Sequence, residues 1–589
     1  MCLKGGICGR KEDRWSFFKK SQKKPALACI IEKFRLNEEM KLYPLILLFA
    51  FGMSFLAGSA CPPVGEAVEP EATPVQPTPS DDDKEVEENQ DSDTKTSEGD
   101  SSLPHFLVIG GGYSASGNQV SLEKNVLYFR RVLGELDLIE APRHLLFADG
   151  RDRGRDLQFM DPAFDIPEVN RAFAELLGST KGIANQYRSN GLAPNGPSSI
   201  AEIDKWLKNT GSKLKGDDRL MMYFTGHGGK GDKKTPQNTN VYLWNNQKLK
   251  MSDFTKKLDQ LPVETPVILV MVQCYSGGFA NVIFKDGDPK KGLAEHPRAG
   301  FFATVHNRVA AGCTPDIREE NYQEYSTNFW EALCGKTRLG ATIEKPDFDG
   351  DGKTSYAEAH AHVILSSDTI DIPIKTSDAF LRRYSQTQPP KEKKEGGEQS
   401  KEWLLAEDDY AKIIELAAPP EHAVLQGLSV KLELEDANRL KEARDLMNEL
   451  ESQRKKLAEQ KKKPEAERNA IKKKLASEIR KRWPEVGNPY HPNARALFQP
   501  DQSKQVMAVL KKGGEWSKYL KAKAAISSLE KKRFELDRRK VKCMRFIQVL
   551  ENVALEANLP IMAEEKIIKR HKELRELENG ILPSNERGT

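Results

Sequence analysis

The chain has 589 residues, of which 38% are hydrophobic and 30% charged, and its formal net charge is only +4. This length is enough for two to four domains. Lysine runs could suggest nucleic-acid binding, but glutamates are interspersed among these lysines and few aromatic residues interleave with them, which argues against that class.

The N-terminal part begins with a basic, unpatterned stretch, residues 1–39, which is either an extension or sequence ahead of the true start at Met40. Residues 40–61, MKLYPLILLFAFGMSFLAGSAC, combine a lysine, an apolar run and small residues before a cysteine. This pattern is typical of a secretory signal peptide. Its end resembles a bacterial lipoprotein processing site, which implies lipidation of Cys61 and a membrane tether at the N-terminus. Gly58 replaces the usual leucine of that motif, so a plain export signal and an uncleaved anchor are the alternatives.

An acidic segment follows the signal peptide. Residues 62–103 contain thirteen acids and two lysines, a local charge of −11, among many prolines, threonines and serines. So little of this segment is apolar that burial cannot offset the entropy of ordering it. We therefore predict a disordered linker over residues 62–102.

From Leu103 onward, short apolar runs alternate with amphipathic segments. Continuous apolar strands separated by helices indicate a mostly parallel sheet that is covered on both faces. We therefore predict an α/β domain over residues 103–345. Its strands are expected in HFLVIGGGYS, RHLLFADG, RLMMYFTGHGG, PVILVMVQC and AGFFATVHN.

Beyond a linker over residues 386–401, the composition changes to lysine- and glutamate-rich sequence with helical periodicity. We predict a separate α-helical region over residues 402–589, which is a coiled coil, a helical hairpin or a small bundle. Pro464 is expected to end its first long helix. The apolar positions that indicate this helix are Leu440, Ala443, Met447, Leu450 and Leu457.

Two reactive side chains follow neighbouring predicted strands. His227 ends the run LMMYFT in a Gly-His-Gly-Gly setting, and Cys274 follows the run VILVMVQ, 47 residues later. That interval accommodates one helix and a return to the adjacent parallel strand, and ligands of such sheets bind at the carboxyl ends of the strands. A thiol acts as a nucleophile when a neighbouring base accepts its proton. The pair therefore predicts a His–Cys catalytic dyad.

The motifs YFTGHGG and VQCYSGG resemble those of the caspase-like cysteine peptidases, most nearly the legumain-like branch. Gln273 departs from this pattern, because the family usually has alanine before the cysteine. The resemblance implies a caspase-like sheet, Cys274 as nucleophile, His227 as general acid and base, and the N–H groups of Gly228 and Cys274 as oxyanion donors. Legumain-like enzymes also place an asparagine behind the histidine; Asn118 is out of register for that role and is not assigned to it.

The same resemblance implies a pocket for the substrate residue before the cut. The segment VAAGCTPDIREENYQEYS is similar to a metacaspase segment whose acids accept arginine or lysine, and Asp316 falls at the second of those acids. A carboxylate there would select a basic residue by charge pairing. Legumain-like enzymes prefer asparagine instead, so cleavage after a basic residue and cleavage after asparagine both remain open.

The segment DFDGDGKTSYAE matches the EF-hand loop, with a glycine at its sixth position. We predict one structural Ca²⁺ site within residues 346–385, followed by an exiting helix, because no convincing second EF-hand follows. The expected ligands are Asp347, Asp349, Asp351, the Lys353 carbonyl, Ser355 and Glu358.

The sequence thus predicts an exported cysteine endopeptidase that acts on protein or peptide substrates and is tethered to a membrane. The alternative is a catalytically inactive caspase-fold scaffold at the cell surface that binds partners through its C-terminal helices. The presence of both His227 and Cys274 favours the enzyme.

Overall fold

The computed structural model describes residues 103–216, 218–389 and 403–582. The stretch 1–39, the predicted signal peptide with Cys61, the acidic linker 62–102 and most of the linker 386–401 lie outside these ranges. None of the described helices combines the length and the apolar character that a membrane crossing requires.

The α/β part is organised around one central sheet. Its strands run in the order β10-β9-β8-β5-β1-β2, and all neighbours on this path are parallel except the edge pair β9 and β10. This arrangement confirms the predicted α/β class with a mostly parallel sheet. The described strands are β1 (His105–Gly111), β2 (Arg143–Phe147), β3 (Leu157–Phe159), β4 (Gln186–Arg188), β5 (Leu220–Gly229), β6 (Asn240–Leu243), β7 (Gln247–Lys250), β8 (Val267–Met271), β9 (Arg298–Phe302) and β10 (Ile374–Lys375).

Two small antiparallel additions lie outside the main strand path. The hairpin of β6 and β7 pairs with the last residues of β5, so that His227 stands opposite Tyr242. The pair β3 and β4 forms its own two-stranded sheet. Sequence analysis missed both, because these strands are only three or four residues long.

Helices cover both faces of the central sheet. Successive side chains of a strand point to opposite faces, and both sets are apolar here, so both faces need to be buried. In β1, Phe106 and Val108 belong to the core on one face, and Leu107 and Ile109 to the core on the other. The helices of this part are α1 (Val120–Glu135), α2 (Glu168–Leu177), α3 (Ile200–Asn209), α4 (Met251–Leu258), α5 (Tyr325–Cys334), α6 (Tyr356–Ser366) and α7 (Thr376–Tyr384). Helices α1, α5, α6 and α7 pack on the first face, whereas α3 and α4 pack on the second.

The C-terminal part is helical, as predicted. Its helices are α8 (Tyr410–Ile414), α9 (Pro419–Leu432), α10 (Arg439–Arg482), α11 (Pro492–Ala496), α12 (Pro500–Lys511), α13 (Glu515–Met562) and α14 (Glu565–Glu578). The pair α10 and α13, here called the C-terminal arm, is antiparallel, because ion pairs join the end of one helix to the start of the other. These pairs are Arg444–Glu551, Arg454–Asp537, Lys461–Glu530 and Lys474–Glu515.

The expectation that Pro464 ends the first long helix is wrong. Pro464 lies inside α10, which continues to Arg482. Proline removes one backbone N–H donor from a helix interior, a cost of about 3 kcal/mol. Helix α13 runs alongside and packs against α10 on both sides of this position, so tertiary packing offsets the local cost.

The arm packs on the α/β part at two places. Near one end, apolar residues of α10 and α13 form a core with α6 and α9. Near the other end, the arm contributes to a second core, in which Leu475 of α10 and Trp516 of α13 pack with Phe173 of α2. The C-terminal helices therefore do not stand apart from the sheet.

Candidate active site

His227 and Cys274 lie at the carboxyl ends of two adjacent parallel strands. The last registered pair between β5 and β8 is Phe224 with Met271, and each reactive residue lies three positions beyond it. Both side chains are half-buried. The sheet topology therefore places His227 and Cys274 at matching positions along two adjacent chain segments.

The turn that carries Cys274 is tight and depends on glycine. A Cβ added at Gly228 would collide with the carbonyl oxygen of Cys274, so only glycine allows β5 to pass this close. Tyr275, directly after the cysteine, has a left-handed backbone with φ of 62°. Its N–H donates to the Arg308 carbonyl at 2.8 Å, and this bond holds the strained turn in place.

The loop after β1 fixes the orientation of the His227 ring. Its Nε2 lies 2.7 Å from the Gly117 carbonyl and 3.0 Å from Oε1 of Gln119. Both partners are acceptors, so Nε2 carries the proton and Nδ1 keeps the lone pair. The neighbouring Asn118 is buried and does not contact the ring: its Nδ2 donates to Asp156 and its Oδ1 accepts from the Gly112 N–H.

The Cys274 thiol contacts a segment that sequence analysis did not single out. The Ala310 N–H donates to Sγ at 3.4 Å, and Sγ lies 3.9 Å from the Ala310 carbonyl. No hydrogen bond joins Cys274 to His227 among the described side chains. The Cys274 N–H likewise makes no backbone hydrogen bond within the described ranges.

Burial sets the protonation of both groups. It raises the pKa of the Cys274 thiol, the negative charge of Asp371 raises it further, and the Ala310 contact opposes the change. Burial lowers the pKa of His227, with the bond to Gly117 opposing it. A raised thiol pKa and a lowered imidazole pKa both favour the uncharged forms. At rest the thiol of Cys274 and the imidazole of His227 are therefore both neutral.

Asp316, the predicted pocket acid, is already paired with its own loop. Its two oxygens accept from Arg318 Nε at 2.9 Å and Arg318 Nη2 at 2.7 Å, and Asn321 donates to it at 2.9 Å. Hydrogen bonds from Arg318 lower the pKa of Asp316 to about 2. The carboxylate is thus ionised but neutralised locally, and a basic substrate residue would have to displace Arg318.

The acidic loop before α6 brings three of its predicted ligands together. One carboxylate oxygen from each of Asp347, Asp349 and Asp351 lies within 4.8 Å of the others, and all three residues are exposed. Glu358 is buried: one carboxylate oxygen forms a capping box with Ser355 at the start of α6, and the other accepts from the N–H groups of Phe348 and Asp349. Lys353 is the seventh loop residue, and its N–H donates to Asp351 at 2.8 Å.

A cavity of about 470 Å³ lies at the amino ends of the strands of the central sheet. It is lined by residues at the starts of β1, β5, β8 and β9 and by α14, including Leu220, Arg298 and Leu574. His227 and Cys274 lie at the opposite, carboxyl ends of the strands, where ligands of parallel sheets bind. The cavity is therefore distinct from the His227–Cys274 site.

No protein-family model matches this chain, and neither does any curated protein. A function is therefore inferred from the two motifs and from the geometry around them.

Several residues at the site were not found from the sequence. Gly117 and Gln119 contact the histidine, and Ala310 contacts the thiol. The glycine-rich loop after β1 was a usable signal, since it follows a strand that pairs with β5. Ala310 offered none, because its contact is made by the backbone.

Proposed function

We propose that this protein is an exported cysteine endopeptidase of the caspase-like, legumain-like type, in which His227 and Cys274 form the catalytic dyad. One observation carries the proposal: both residues lie three positions beyond the last paired residues of adjacent parallel strands. The Nε2 bond to Gly117 supports it, because this bond leaves Nδ1 as the nitrogen that can accept a proton.

The reaction follows from these protonation states. Cys274 Sγ attacks the scissile carbonyl carbon as its proton passes to His227, which then donates that proton to the leaving amine as the C–N bond breaks. Water attacks the resulting thioester, His227 accepts a water proton, and the thiolate leaves and is reprotonated. The products are an amine and a carboxylic acid.

Backbone N–H groups would stabilise the oxyanion of the tetrahedral intermediate. The Cys274 N–H is the first donor, and its lack of a backbone partner within the described ranges supports this role. The Gly228 N–H is the second donor, and the close passage of Gly228 over the Cys274 carbonyl brings the two peptide groups together.

The pairing of Asp316 favours cleavage after an uncharged residue. Arg318 already occupies both carboxylate oxygens, so an incoming arginine or lysine competes with a charge-assisted bidentate pair. An asparagine side chain does not need this carboxylate to be free. We therefore expect cleavage after Asn in preference to Arg or Lys.

Peptide cleavage and active-site labelling test this proposal. Purified protein is assayed with fluorogenic peptides ending in Asn, Asp, Arg or Lys, and with a peptidyl acyloxymethyl ketone. We expect cleavage and labelling at Cys274, and loss of at least about 100-fold in kcat/KM for Cys274→Ala and His227→Ala. Arg318→Gln serves as the pocket control and should raise the rate with the Arg peptide.

Two results would reject parts of this proposal. Equal labelling of wild type and His227→Ala, with no peptide cleaved, would favour the inactive scaffold. Cleavage after Arg alone in the wild type would return Asp316 to its expected role as an acid that pairs with the substrate.

We also propose that the loop at 347–358 binds Ca²⁺. The clustering of three aspartate oxygens supports this, since Ca²⁺ takes six to eight oxygen ligands. Asp347, Asp349 and Asp351 would supply carboxylates and Lys353 its carbonyl. Ser355 and Glu358 fit only after the capping box between them has opened.

A further inference from the structure

The thiol of Cys274 is connected to the C-terminal arm through two intervening segments. The first is residues 308–311, whose Arg308 carbonyl accepts from the Tyr275 N–H and whose Ala310 N–H donates to Sγ. The second is the loop 367–371, in which Asp371 Oδ1 accepts from the Ala311 N–H at 2.7 Å. Segment 308–311 is therefore held between the cysteine turn and this loop.

Arg545 of α13 holds the loop from the other side. Its guanidinium donates to four carbonyl oxygens, at 2.7 Å for Asp371, 2.8 Å for Ser367, 3.0 Å for Ile364 and 3.3 Å for Thr369. The side chain is only 1% exposed. Burial lowers the pKa of Arg545 to about 10, so the group stays charged at neutral pH.

A buried charge is costly unless its surroundings satisfy it. The Arg545 guanidinium stays hydrogen-bonded only while the backbone of residues 364–371 keeps its present conformation, because four of its acceptors are carbonyls of that stretch. The same backbone conformation fixes the position of the Asp371 carboxyl, which is also 1% exposed. The arm thus determines where the acceptor for the Ala311 N–H lies.

We propose that Arg545 and Asp371 are positioning residues that hold segment 308–311 against Cys274, so that the C-terminal arm is a required part of the active site. This inference rests on the proposed peptidase function. The arm would then support the active site and would not inhibit it, because detaching α13 would release the segment that contacts the nucleophile.

Four variants of the full chain test this pair. Arg545→Gln and Asp371→Ala each remove one connection, whereas Asp371→Asn retains an oxygen that accepts the Ala311 N–H. Arg539→Gln is the matched control, because Arg539 lies on the same helix and forms its ion pair with the exposed Glu433. The readouts are kcat and KM on a cleaved peptide, and hydrogen exchange of the amides in residues 308–313.

We expect kcat to fall about 10- to 100-fold in Arg545→Gln and Asp371→Ala, because a small displacement at a reacting group has effects of this size. Exchange at 308–313 should rise in the same two variants. Asp371→Asn and Arg539→Gln should retain wild-type values of both. Wild-type kcat and exchange in Asp371→Asn distinguish a positioning role from general damage to the fold. If Arg545→Gln does not fold, the comparison of the two Asp371 variants still tests the inference.

Wild-type kcat or wild-type exchange in Asp371→Ala would overturn the inference. An Asp371→Asn variant as impaired as Asp371→Ala would also overturn it, since the charge and not the hydrogen bond would then be needed. If the wild type cleaves no peptide, the proposed function fails separately, and the exchange comparison still decides whether this pair holds 308–311.

Discussion

At the scale of single residues, the candidate dyad differs from a preformed ion pair. Burial lowers the pKa of His227 and raises that of Cys274, so in the proposed mechanism proton transfer between them would accompany attack on the substrate. Such a dyad requires the imidazole to be neutral and the thiol to be protonated before the reaction. Both conditions hold over a wide range around neutral pH.

The pH dependence of activity follows from the sign of these shifts. A base works above its own pKa, and the pKa of His227 lies below the ordinary value of 6.5. We therefore expect kcat to remain on its plateau when the pH falls below 6.5. In contrast, the raised pKa of Cys274 predicts that alkylation by iodoacetamide, which needs the thiolate, increases as the pH rises above neutrality.

Two stopped-time assays over pH 5 to 10, one of kcat and one of Cys274 alkylation, measure these two profiles. Unfolded protein provides the reference thiol. A kcat that falls as soon as the pH drops to 6.5, or a folded Cys274 that alkylates faster than the unfolded thiol at neutral pH, would contradict the neutral pair.

The local sequence also indicates the partner of Asp316. Arg318 lies only two positions after Asp316, and this short interval was a signal that the acid has a partner of its own. Asn118 bonds to Asp156 and Gly112, and the adjacent Gly117 contacts the His227 ring through its carbonyl. Backbone groups carry no residue identity, which is why that contact was not predictable.

At the scale of elements, the acidic loop and helix α6 compete for one side chain. Glu358 caps α6 by accepting from the Ser355 N–H at 2.8 Å, and it also accepts from the Phe348 N–H at 2.5 Å. An EF-hand glutamate at this position would instead bind the ion through both oxygens. Calcium binding therefore requires these hydrogen bonds to be exchanged for metal ligation.

Calorimetry measures this exchange directly. We expect the wild type to bind one Ca²⁺ and the Asp347→Ala/Glu358→Ala double variant to give no binding heat. Glu344→Ala removes an exposed acid just ahead of the loop and should bind as the wild type does. Unchanged calcium binding by the double variant would reject the site.

Element prediction succeeded where burial alone decides the pattern. The apolar runs of β1, β5 and β8 are buried on both faces, and this leaves an unbroken hydrophobic signal. The β6–β7 hairpin lacked such a signal, since two of its outward positions are lysines, Lys248 and Lys250. The expectation that Pro464 ends α10 was wrong, because the packing of α10 on α13 outweighs the low helix propensity of proline.

At the scale of the whole molecule, the arm connects two distant parts of the α/β region. One end packs on α6 and α9, next to the loop that carries Asp371, and the other end packs on α2. Ion pairs also join this region to α2: Lys523 of α13 pairs with Glu175, and Lys511 of the neighbouring α12 pairs with Glu168. The helical region and the sheet should therefore unfold together.

Phe173 is the side chain on α2 through which this coupling can be tested. It is 6% exposed, and its ring meets that of Phe498 edge to face with centroids 5.4 Å apart. We expect Phe173→Ala to lower the free energy of unfolding by about 3 kcal/mol. Val430→Ala, at a residue 80% exposed on α9, should change it by no more than about 0.5 kcal/mol.

Denaturant unfolding followed by both tryptophan fluorescence and circular dichroism checks this prediction. Coincident transitions that shift together in Phe173→Ala support a single unit. Loss of helical signal ahead of the fluorescence change in the wild type would indicate that the arm unfolds independently.

Long-range contacts mark the limit of what the sequence predicts here. The bond between Arg545 and Asp371 joins residues 174 positions apart, and no periodicity or motif relates them. The lysine- and glutamate-rich composition of the arm indicated helices but not the surface that they would cover. Local pattern therefore indicates the long buried strands, most of the helices and the two candidate catalytic residues, whereas the contacts around those residues come from packing.

The order of residues along the chain affects when the site can form during synthesis. Cys274 is translated 271 residues before Arg545, the difference between their positions. A ribosome-bound chain thus carries both candidate residues long before the guanidinium of Arg545 has been made. Under the proposed function, a protease assembled in this order would stay inactive during synthesis and would become active only once nearly the whole polypeptide has folded.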